Sequence, residues 1–588
     1  SFGLVFESHL PERVRLPEYP VRRGTKVVRR ADKNSGPTKV EGVRRGQAIV
    51  VTDDGTRDTV PVDDLVVVAE FGEPVYPGLT SVGSIQRGGD KPAHVVINAE
   101  NHHALEMLQF THAGKVDCIY IDPPYNTGAR DWKYDNNYVD GDDAYRHSKW
   151  LAFMERRLLL SKELLNPDDS VLIVTIDEKE FLRLGLLLQQ TFPGKDVQQV
   201  TIVTNRAGSP RPDRFTRVEE YAFFVFLGES SAANWTSNLL VENDIGSEVP
   251  TATFWFSAVR VGSRKALRSY YTETTLFYPV LIRSDNGELH SVGPPLRSGE
   301  ALAEYRAPEG TQAIWPVSNG REQTWRFTRE KMVEYLANGT ARLGRRDQTT
   351  GLRPVTYLRP GTVAAIEAGR VRVTGRTVEG ALELASDPSS IQAKPPASVW
   401  NQTSHYARDH GSKLLARFVP GSEFPFPKSL YAEEDAIRIA VGNKPEAVVV
   451  DFFAGSGTTA HAVMRLNRQD GGRRQAIVVT NNEVSADEAK SLTMRGLRDG
   501  DPEWEALGIF EKVTRPRITA AVTGRTPDGT LVKGDYKFTD EFPMAEGLDE
   551  NVEFMKLTYL DPVDVELDRA FAAVAPMLWL RAGGQGST

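Results

Sequence analysis

A chain of 588 residues, 40% hydrophobic and 26% charged, has the composition of a globular protein of roughly three or four domains. Its single cysteine, Cys118, excludes a disulfide framework and any cysteine-built zinc site, and no apolar run approaches the ~20 residues that span a bilayer. The net charge of −8 offers no uniformly basic footprint, so nucleic-acid contact would have to use local basic patches.

The first residues, SFGLVFESHLPERVRL, lack the long apolar core of a signal peptide, and a cytoplasmic location is expected. From Arg13 to Arg45 eleven Lys or Arg stand against three acids, either a solvated face or a docking surface. Two alternating runs then flank Asp54-Gly55, a hairpin signal. Residues 1–80 are read as a small β-rich module, closed by a linker at Pro74, Pro77 and Gly78.

Residues 81–229 alternate strand and helix. HVVINAENHHALEML, His94 to Leu108, reads strand, turn, helix, with Glu100 and Asn101 at the junction. His102 and His103 are neighbours in sequence and do not share a helix face, so a metal pair is not expected. The buried strand from Val116 to Ile121 ends in Asp122-Pro123-Pro124-Tyr125. Ligands of open α/β sheets sit at the carboxyl ends of strands. Asp122 and the Pro123 carbonyl, held by two stiff φ angles, offer two acceptors to an exocyclic amino group, and Tyr125 offers a ring to stack on its base. That suits amine methylation of a base flipped out of its stack. A polar loop, NTGARDWKYDNNYVDGDD, follows and either closes on the site or is solvated. A helix is expected over Asp143–Leu165 and another over Phe181–Gln190, with strands at Ser170–Ile176, Gln198–Asn205 and Tyr221–Leu227. Strand and helix in alternation predict an α/β fold with a largely parallel sheet.

From 230 to 395 the periodicity weakens and arginines interleave with aromatics. Arg260, Arg264, Lys265 and Arg268 form one basic cluster; Arg342, Arg345, Arg346, Arg353 and Arg359 form another. Such a segment is an inserted groove-reading domain, since Arg makes bidentate contacts to guanine and phosphate, or an ordinary domain with a basic surface. In 396–484, FPFPKS (Phe424 to Ser429) precedes a helix, and its Lys428 either meets a ligand or packs. AVVVDFFAGSGTTA, Ala447 to Ala460, reads as a buried strand ending at Asp451, then a glycine loop opening a helix. No Walker lysine follows Gly457, so this is no P-loop. The next strand, Gln475 to Thr480, runs to Glu483, an acid where a ribose diol would be held. Residues 485–588, with an apolar run at Glu553–Asp561 and a helix over Val565–Leu580, are read as a packing or dimerisation region.

DPPY at 122–125 resembles the catalytic motif of DNA amino-methyltransferases, and FAGSG at 453–457 resembles their S-adenosylmethionine motif. The catalytic motif comes first here, an order similar to the circularly permuted β group of DNA adenine-N6 methyltransferases. With HALEML, IWPV, ASVW, FPKS and DFFAGSGTTAHAV, residues 95–580 resemble the modification subunit of type III restriction–modification systems. The resemblance implies a circularly permuted, Rossmann-like methyltransferase sheet interrupted by a target-recognition domain. It also implies S-adenosyl-L-methionine as cofactor, bound by Glu100, Asn101, Phe426, Lys428, Asp451, Phe453, Gly455, Ser456, Gly457, Thr458 and Glu483. Asp122, Pro123, Pro124 and Tyr125 would act on the base, and Arg260, Arg264, Lys265, Arg268, Arg345, Arg346 and Arg353 on DNA, with neither metal nor histidine base. Many relatives have Gly-Asp-Asn where this chain has Ala99-Glu100-Asn101, and the N-terminal module lies outside the likeness. Expected partners are double-stranded DNA, a second copy of the chain and a separate helicase–nuclease subunit, in a bacterial cytoplasm near the nucleoid. The alternatives are cytosine-N4 methylation, whose enzymes more often carry Ser at position 122, and a recognition subunit with little activity alone. RNA and protein-glutamine methyltransferases usually have Asn there and the unpermuted order.

Overall fold

The computed structural model describes the chain except residues 1–2, 10–13, 17–18, 31–35, 53, 70–75, 135–136, 212, 241–254, 261–265, 298, 319, 345–352, 359–362, 364–365, 367–372, 378, 385–394, 499, 561–570 and 587–588, and the side chains of 14 and 129–138. It divides into two compact units, Ser1–Asn243 with Ala393–Thr588, and Asp244–Gln392.

The larger unit is built on a ten-stranded sheet. Along the chain its strands are β1 (Tyr76–Gln86), β2 (Ala93–Asn98), β3 (Cys118–Ile121), β4 (Asp169–Ile176), β5 (Asp196–Val203), β6 (Glu219–Gly228), β7 (Val399–Trp400), β8 (Val448–Asp451), β9 (Gln475–Thr480) and β10 (Asn551–Leu560). In space they run β7-β5-β6-β4-β3-β8-β9-β2-β10-β1. From β10 through β2, β9, β8 and β3 to β4 every pairing is parallel. The antiparallel β6 and β1 flank that run.

Parallel strands covered on both faces need apolar residues at every position, which is why CIYI and VVVD carry no alternation. Successive residues divide between two cores. Cys118, Tyr120 and Val449 face one, packed with α4 (Leu430–Val441), α5 (Thr458–Asp470) and α6 (Arg515–Thr523). Ile119, Ile121 and Val450 face the other, with α1 (Asn101–His112), α2 (Arg146–Leu164) and α3 (Phe181–Thr191). The helices expected over Asp143–Leu165 and Phe181–Gln190 are α2 and α3, within three residues at each end.

Two readings change. Pro77 and Gly78 are not linker but part of β1, which runs antiparallel to β10 with Pro77 opposite Tyr559. Residues 551–560 are a sheet strand between β2 and β1, so the region after 485 contributes to the large sheet rather than standing apart from it. A strand buried along most of its length has no face to alternate, and its role shows only through its neighbours. The C-terminal helix is described over Phe571–Arg581; the expected start at Val565 lies outside the described residues.

The N-terminal residues form a six-stranded antiparallel sheet, with Gln47–Val51 and Arg57–Pro61 paired across the Asp54-Gly55 turn. In the smaller unit, two three-stranded sheets and the helix Arg329–Ala337 enclose a core of Tyr278, Val280, Trp325 and Met332.

Ile119 is fully buried at the middle of the large sheet. Ile119→Ala should cost about 2–5 kcal/mol by lost transfer energy and cavity, read as a lower denaturant midpoint. Val5→Ala, at a position 91% exposed, should leave that midpoint unchanged.

Candidate active site

β3 and β8 are adjacent, with Cys118 opposite Val449 and Ile119 opposite Val450. Asp122 and Asp451 therefore end neighbouring strands on the same edge of the sheet, although 329 residues separate them in sequence.

The turn after β3 is held from below. Asn126 adopts a left-handed φ of 55°, a conformation Asn tolerates better than most residues. Its buried side chain donates to Glu180 Oε1 at 2.5 Å and to the Arg146 carbonyl at 3.3 Å. Trp150 Nε1 donates to the Pro124 carbonyl at 2.7 Å, fixing the second proline against α2.

Asp122 Oδ1 accepts from Tyr125 Oη at 2.8 Å and Thr175 Oγ1 at 2.6 Å, and Lys428 Nζ stands 3.3 Å away. Lys428 Nζ also pairs with Glu220 Oε2 at 2.6 Å, contacts the Tyr125 hydroxyl and lies 4.5 Å from that ring's centroid. One cation thus serves two carboxylates. Burial, with Glu220 nearby, pushes Asp122 above the usual aspartate range despite Lys428. Glu220 is disfavoured as an anion by burial too, but Lys428 outweighs that and holds it below its usual range. Burial alone would lower Lys428; the Asp122 and Glu220 charges raise it instead.

At the end of β8 both oxygens of Asp451 are occupied, Oδ1 by the Phe453 N–H at 2.8 Å and Oδ2 by Thr459 Oγ1 at 2.6 Å. Thr459 Oγ1 also lies 2.9 Å from Glu433 Oε2. One hydroxyl proton cannot satisfy two carboxylates, so a carboxyl here must carry its own. Burial, reinforced by Asp451, raises Glu433 well above the usual glutamate range, and burial lifts Asp451 to about 7. Glycine is required at two points of the loop. Gly455 has φ 48°, and a Cβ there would approach Phe424 to 3.1 Å. Gly457, the residue capping α5, has φ 80° with Ile518 3.0 Å from a Cβ. Arg517 Nη1 donates to Ser456 Oγ at 2.8 Å and Thr458 Oγ1 at 2.6 Å, and Thr514 Oγ1 to the Gly455 carbonyl at 2.6 Å.

At the end of β2, Glu100 caps α1 through the His103 N–H at 3.1 Å and pairs with Arg157 Nη2 at 2.7 Å. Arg157 Nε donates to Asn101 Oδ1 at 2.6 Å, Asn101 Nδ2 donates to the Phe452 carbonyl at 3.0 Å, and the guanidinium sits 3.6 Å over the Phe153 ring. Arg157 offsets the burial of Glu100 and holds its carboxyl below the usual range. Phe453 packs against Phe153 and Phe452. Glu483 is half-buried beyond β9, its carbonyl accepting from the Ile509 N–H.

The structure thus brings together the ends of β2, β3, β8 and β9. Lys428 is engaged with Asp122 and Glu220, and Phe426, with φ 52°, is 92% exposed while Phe424 covers Gly455. Four contributors escaped the sequence reading: Thr175, Glu220, Arg157 and Arg517. Thr175 and Glu220 lie on strands and Arg157 and Arg517 on helices; Thr175, between Val174 and Ile176, is a lone polar group on a core strand, whereas Glu220 and Arg157 stand beside Glu219 and Arg156 and carry no such signal. The adjacent His102 and His103, with Glu106, do offer ligand atoms within 4.8 Å of one another. His103 Nδ1 is engaged by Tyr559 Oη at 2.6 Å.

In the smaller unit, Arg268 pairs with Glu322 at 2.9 Å and lies 4.3 Å over Phe277, and Arg353 pairs with Glu379 at 2.5 Å. Arg260 is half-buried, its backbone N–H donating to Thr324. Arg264, Lys265, Arg345 and Arg346 lie outside the described residues.

Residues 116–268 and 357–493 match a family model described as DNA methylase, of the N6/N4 type. The EcoPI Mod subunit of a type III restriction-modification enzyme, from Escherichia phage P1, is 27% identical over 465 residues, 73% of this chain and 64% of that protein. The type II methyltransferase M.KpnI of Klebsiella pneumoniae is 26% identical over 67% of this chain and 82% of its own length. The StyLTI Mod subunit of Salmonella typhimurium is 25% identical over 76% and 60%. The chain spans somewhat under two thirds of the length of the Mod subunits it matches. Among solved structures, the M1.HpyAVI–SAM complex covers 66% of this chain and 94% of its own at 12% identity and a TM-score of 0.26, too remote a likeness to bear on the site. The resemblance to N6/N4 DNA methylases and type III modification subunits holds, and the two matched segments contain the two motifs that carry it.

Asn126→Ala removes two hydrogen bonds and puts a Cβ-only side chain in the left-handed region. It should cost roughly 1–3 kcal/mol, and calorimetry of the wild type and variant measures it.

Proposed function

We propose that this chain is a site-specific DNA methyltransferase, transferring a methyl group from S-adenosylmethionine to the N6 amino group of adenine in double-stranded DNA, within a restriction–modification system. The observation that carries this reading is the parallel pairing of β3 with β8, which makes DPPY and FAGSG neighbours at one edge of the sheet.

Residues 453–458 suit the cofactor. Two left-handed glycines clear the approach to the first turn of α5, whose N–H groups favour an anion. Glu483 and the Glu100–Asn101 corner border the same edge. Bound there, S-adenosylmethionine supplies an electrophilic methyl group. The protein's own part is positioning. Asp122 meets Tyr125, Thr175 and Lys428 through Oδ1, which leaves Oδ2 to accept one amino N–H while the Pro123 carbonyl accepts the other. Both bonds draw the nitrogen toward tetrahedral geometry as it attacks. The nitrogen must then lose a proton, and Asp122, with its raised affinity, is suited to take it. Tyr125 presents one ring face toward Lys428, so a flipped base would stack on the other.

Arg268 and Arg353 are held in pairs within their own unit; Arg260, Arg264, Lys265, Arg345 and Arg346 are the remaining proposed DNA contacts of the inserted segment. The relatives named as Mod subunits of type III restriction-modification enzymes suggest a separate restriction subunit as partner; a second copy of this chain is proposed beside it. Among the described residues no helix is long and apolar enough to cross a membrane. Because the matched family covers N6 and N4 enzymes alike, cytosine N4 is the second reading.

Single-molecule sequencing of DNA from cells expressing the chain tests this directly. N6-methyladenine should accumulate at one short motif and vanish in Asp122→Ala, while that variant still binds S-adenosylhomocysteine and DNA. N4-methylcytosine instead would select the second reading; methylation retained by Asp122→Ala would overturn the assignment of DPPY.

The pH profile gives an independent check. The active form has Asp122 ionised, so activity is lost as pH falls through its pKa. That limb should lie above the ordinary aspartate range. Glu220→Gln removes a charge that raises Asp122 and should move the limb to lower pH; Lys428→Met removes one that lowers it and should move the limb higher.

A further inference from the structure

Arg517 lies on α6 with no exposed surface. Its Nη1 reaches the hydroxyls of Ser456 and Thr458, while Nε and Nη2 are buried without a hydrogen-bond partner. No carboxylate among the described residues forms an ion pair with it. The acid that acts on it through space is Glu433, which burial keeps toward its neutral form beside Asp451. Burial lowers Arg517 only to about 10, so the guanidinium is charged at neutral pH. A buried charge without a counter-ion is strongly unfavourable unless something opposite in sign arrives. Its position says where that would be, since the two residues it holds flank Gly457 at the start of α5.

The hydrogen-bond geometry narrows the chemistry. A hydroxyl has one proton and two lone pairs. Nη1 occupies a lone pair on each of Ser456 Oγ and Thr458 Oγ1. The 3.2 Å contact between those oxygens uses at most one of their two protons. At least one O–H is therefore left to donate, polarised by the cation behind it and beside the α5 N–H groups. The fitting ligand group is an anionic oxygen, which on the proposed cofactor is the carboxylate.

We infer that Arg517 is a positioning residue of the cofactor site, holding the Ser456 and Thr458 hydroxyls as donors to the amino-acid carboxylate of S-adenosylmethionine and supplying that carboxylate's buried counter-charge. The inference rests on the reading of residues 453–458 as a cofactor loop. Arg517 acts through the hydroxyls and does not touch the transferred methyl group. It also gives the stretch around Arg517, TRPRITAAV, a role in ligand binding beyond packing.

The test compares two ligands that differ in the amino-acid end. S-adenosylhomocysteine carries the carboxylate and the ammonium; 5′-methylthioadenosine keeps the adenosine and sulfur without either, and because a buried cation attracts only the carboxylate, loss of affinity on removing Arg517 reports that group. Titration calorimetry on the full chain should show Arg517→Met weakening S-adenosylhomocysteine at least tenfold while methylthioadenosine changes less than twofold. Arg517→Lys should recover part of the loss. Thr458→Val leaves Arg517 in place and should show the same selectivity, at threefold or more, and it decides the matter if Arg517→Met does not fold by circular dichroism. Equal weakening of both ligands, or of neither, overturns the inference and makes Arg517 a packing residue. Wild-type protein that binds neither ligand overturns the cofactor reading itself and this inference with it, whereas wild-type binding with unselective variants overturns the inference alone.

Discussion

The site depends on the seam between β3 and β8. Those two short strands share few rungs, and the seam is reinforced at the opposite end from the chemistry. There the Asp117 N–H donates to the Val448 carbonyl at 3.0 Å, Asp117 Oδ2 accepts from the Val448 N–H at 2.9 Å, and Lys444 bonds Asp169 at 2.8 Å. A strand that enters at Val448 in this register must leave at Asp451 beside Asp122. Everything at the catalytic edge inherits its spacing from that alignment. Because β8 and β9 lie between β3 and β2, the amino-terminal half of the sheet has a gap until the later segment fills it. Such non-local pairing delays the reward for closing a long loop.

Around the seam the charges are few and shared. On the β3 side Lys428 bridges Asp122 and Glu220, so either carboxylate alone would find a full cation and the pair finds half of one each. On the β8 side the one hydroxyl proton of Thr459 lies between Asp451 and Glu433 and cannot serve both as carboxylates, and Arg517 holds more charge than its neighbours cancel. A low-dielectric interior makes each of these imbalances count. The acids near Lys428 are poised to exchange a proton or a hydrogen bond; the cation behind the glycine loop is poised to receive an anion. The two halves of the proposed reaction, handling an amine and holding a carboxylate-bearing cofactor, thus have opposite electrostatic settings a strand apart.

The smaller unit follows different rules. Aromatic side chains tie its core together, with Trp325 Nε1 bonded to the Tyr278 carbonyl and Phe277 stacked on Trp315, and two of its arginines are engaged in holding strands and turns together. Arginine enrichment in sequence therefore does not by itself measure free basic surface. Only a partner carboxylate, invisible to a composition count, distinguishes an Arg that builds a domain from one that reads a ligand.

The amino-acid sequence determined the strands with two buried faces, the amphipathic helices between them, the tight turns at DPPY and FAGSG, and the residue types that make amine chemistry the natural reading. These are local properties, set by side-chain period, proline stiffness and glycine freedom over a few residues. Tertiary structure alone decided that β8 lies against β3, that β10 belongs inside the sheet, that Glu220 and Thr175 close around Asp122, and that Arg517 stands behind the glycine loop. Strand order and the partner of a buried charge depend on which distant surfaces pack together. A strand with two apolar faces carries no mark of its neighbour, and an arginine in an apolar helix shows that it needs a partner without showing which one.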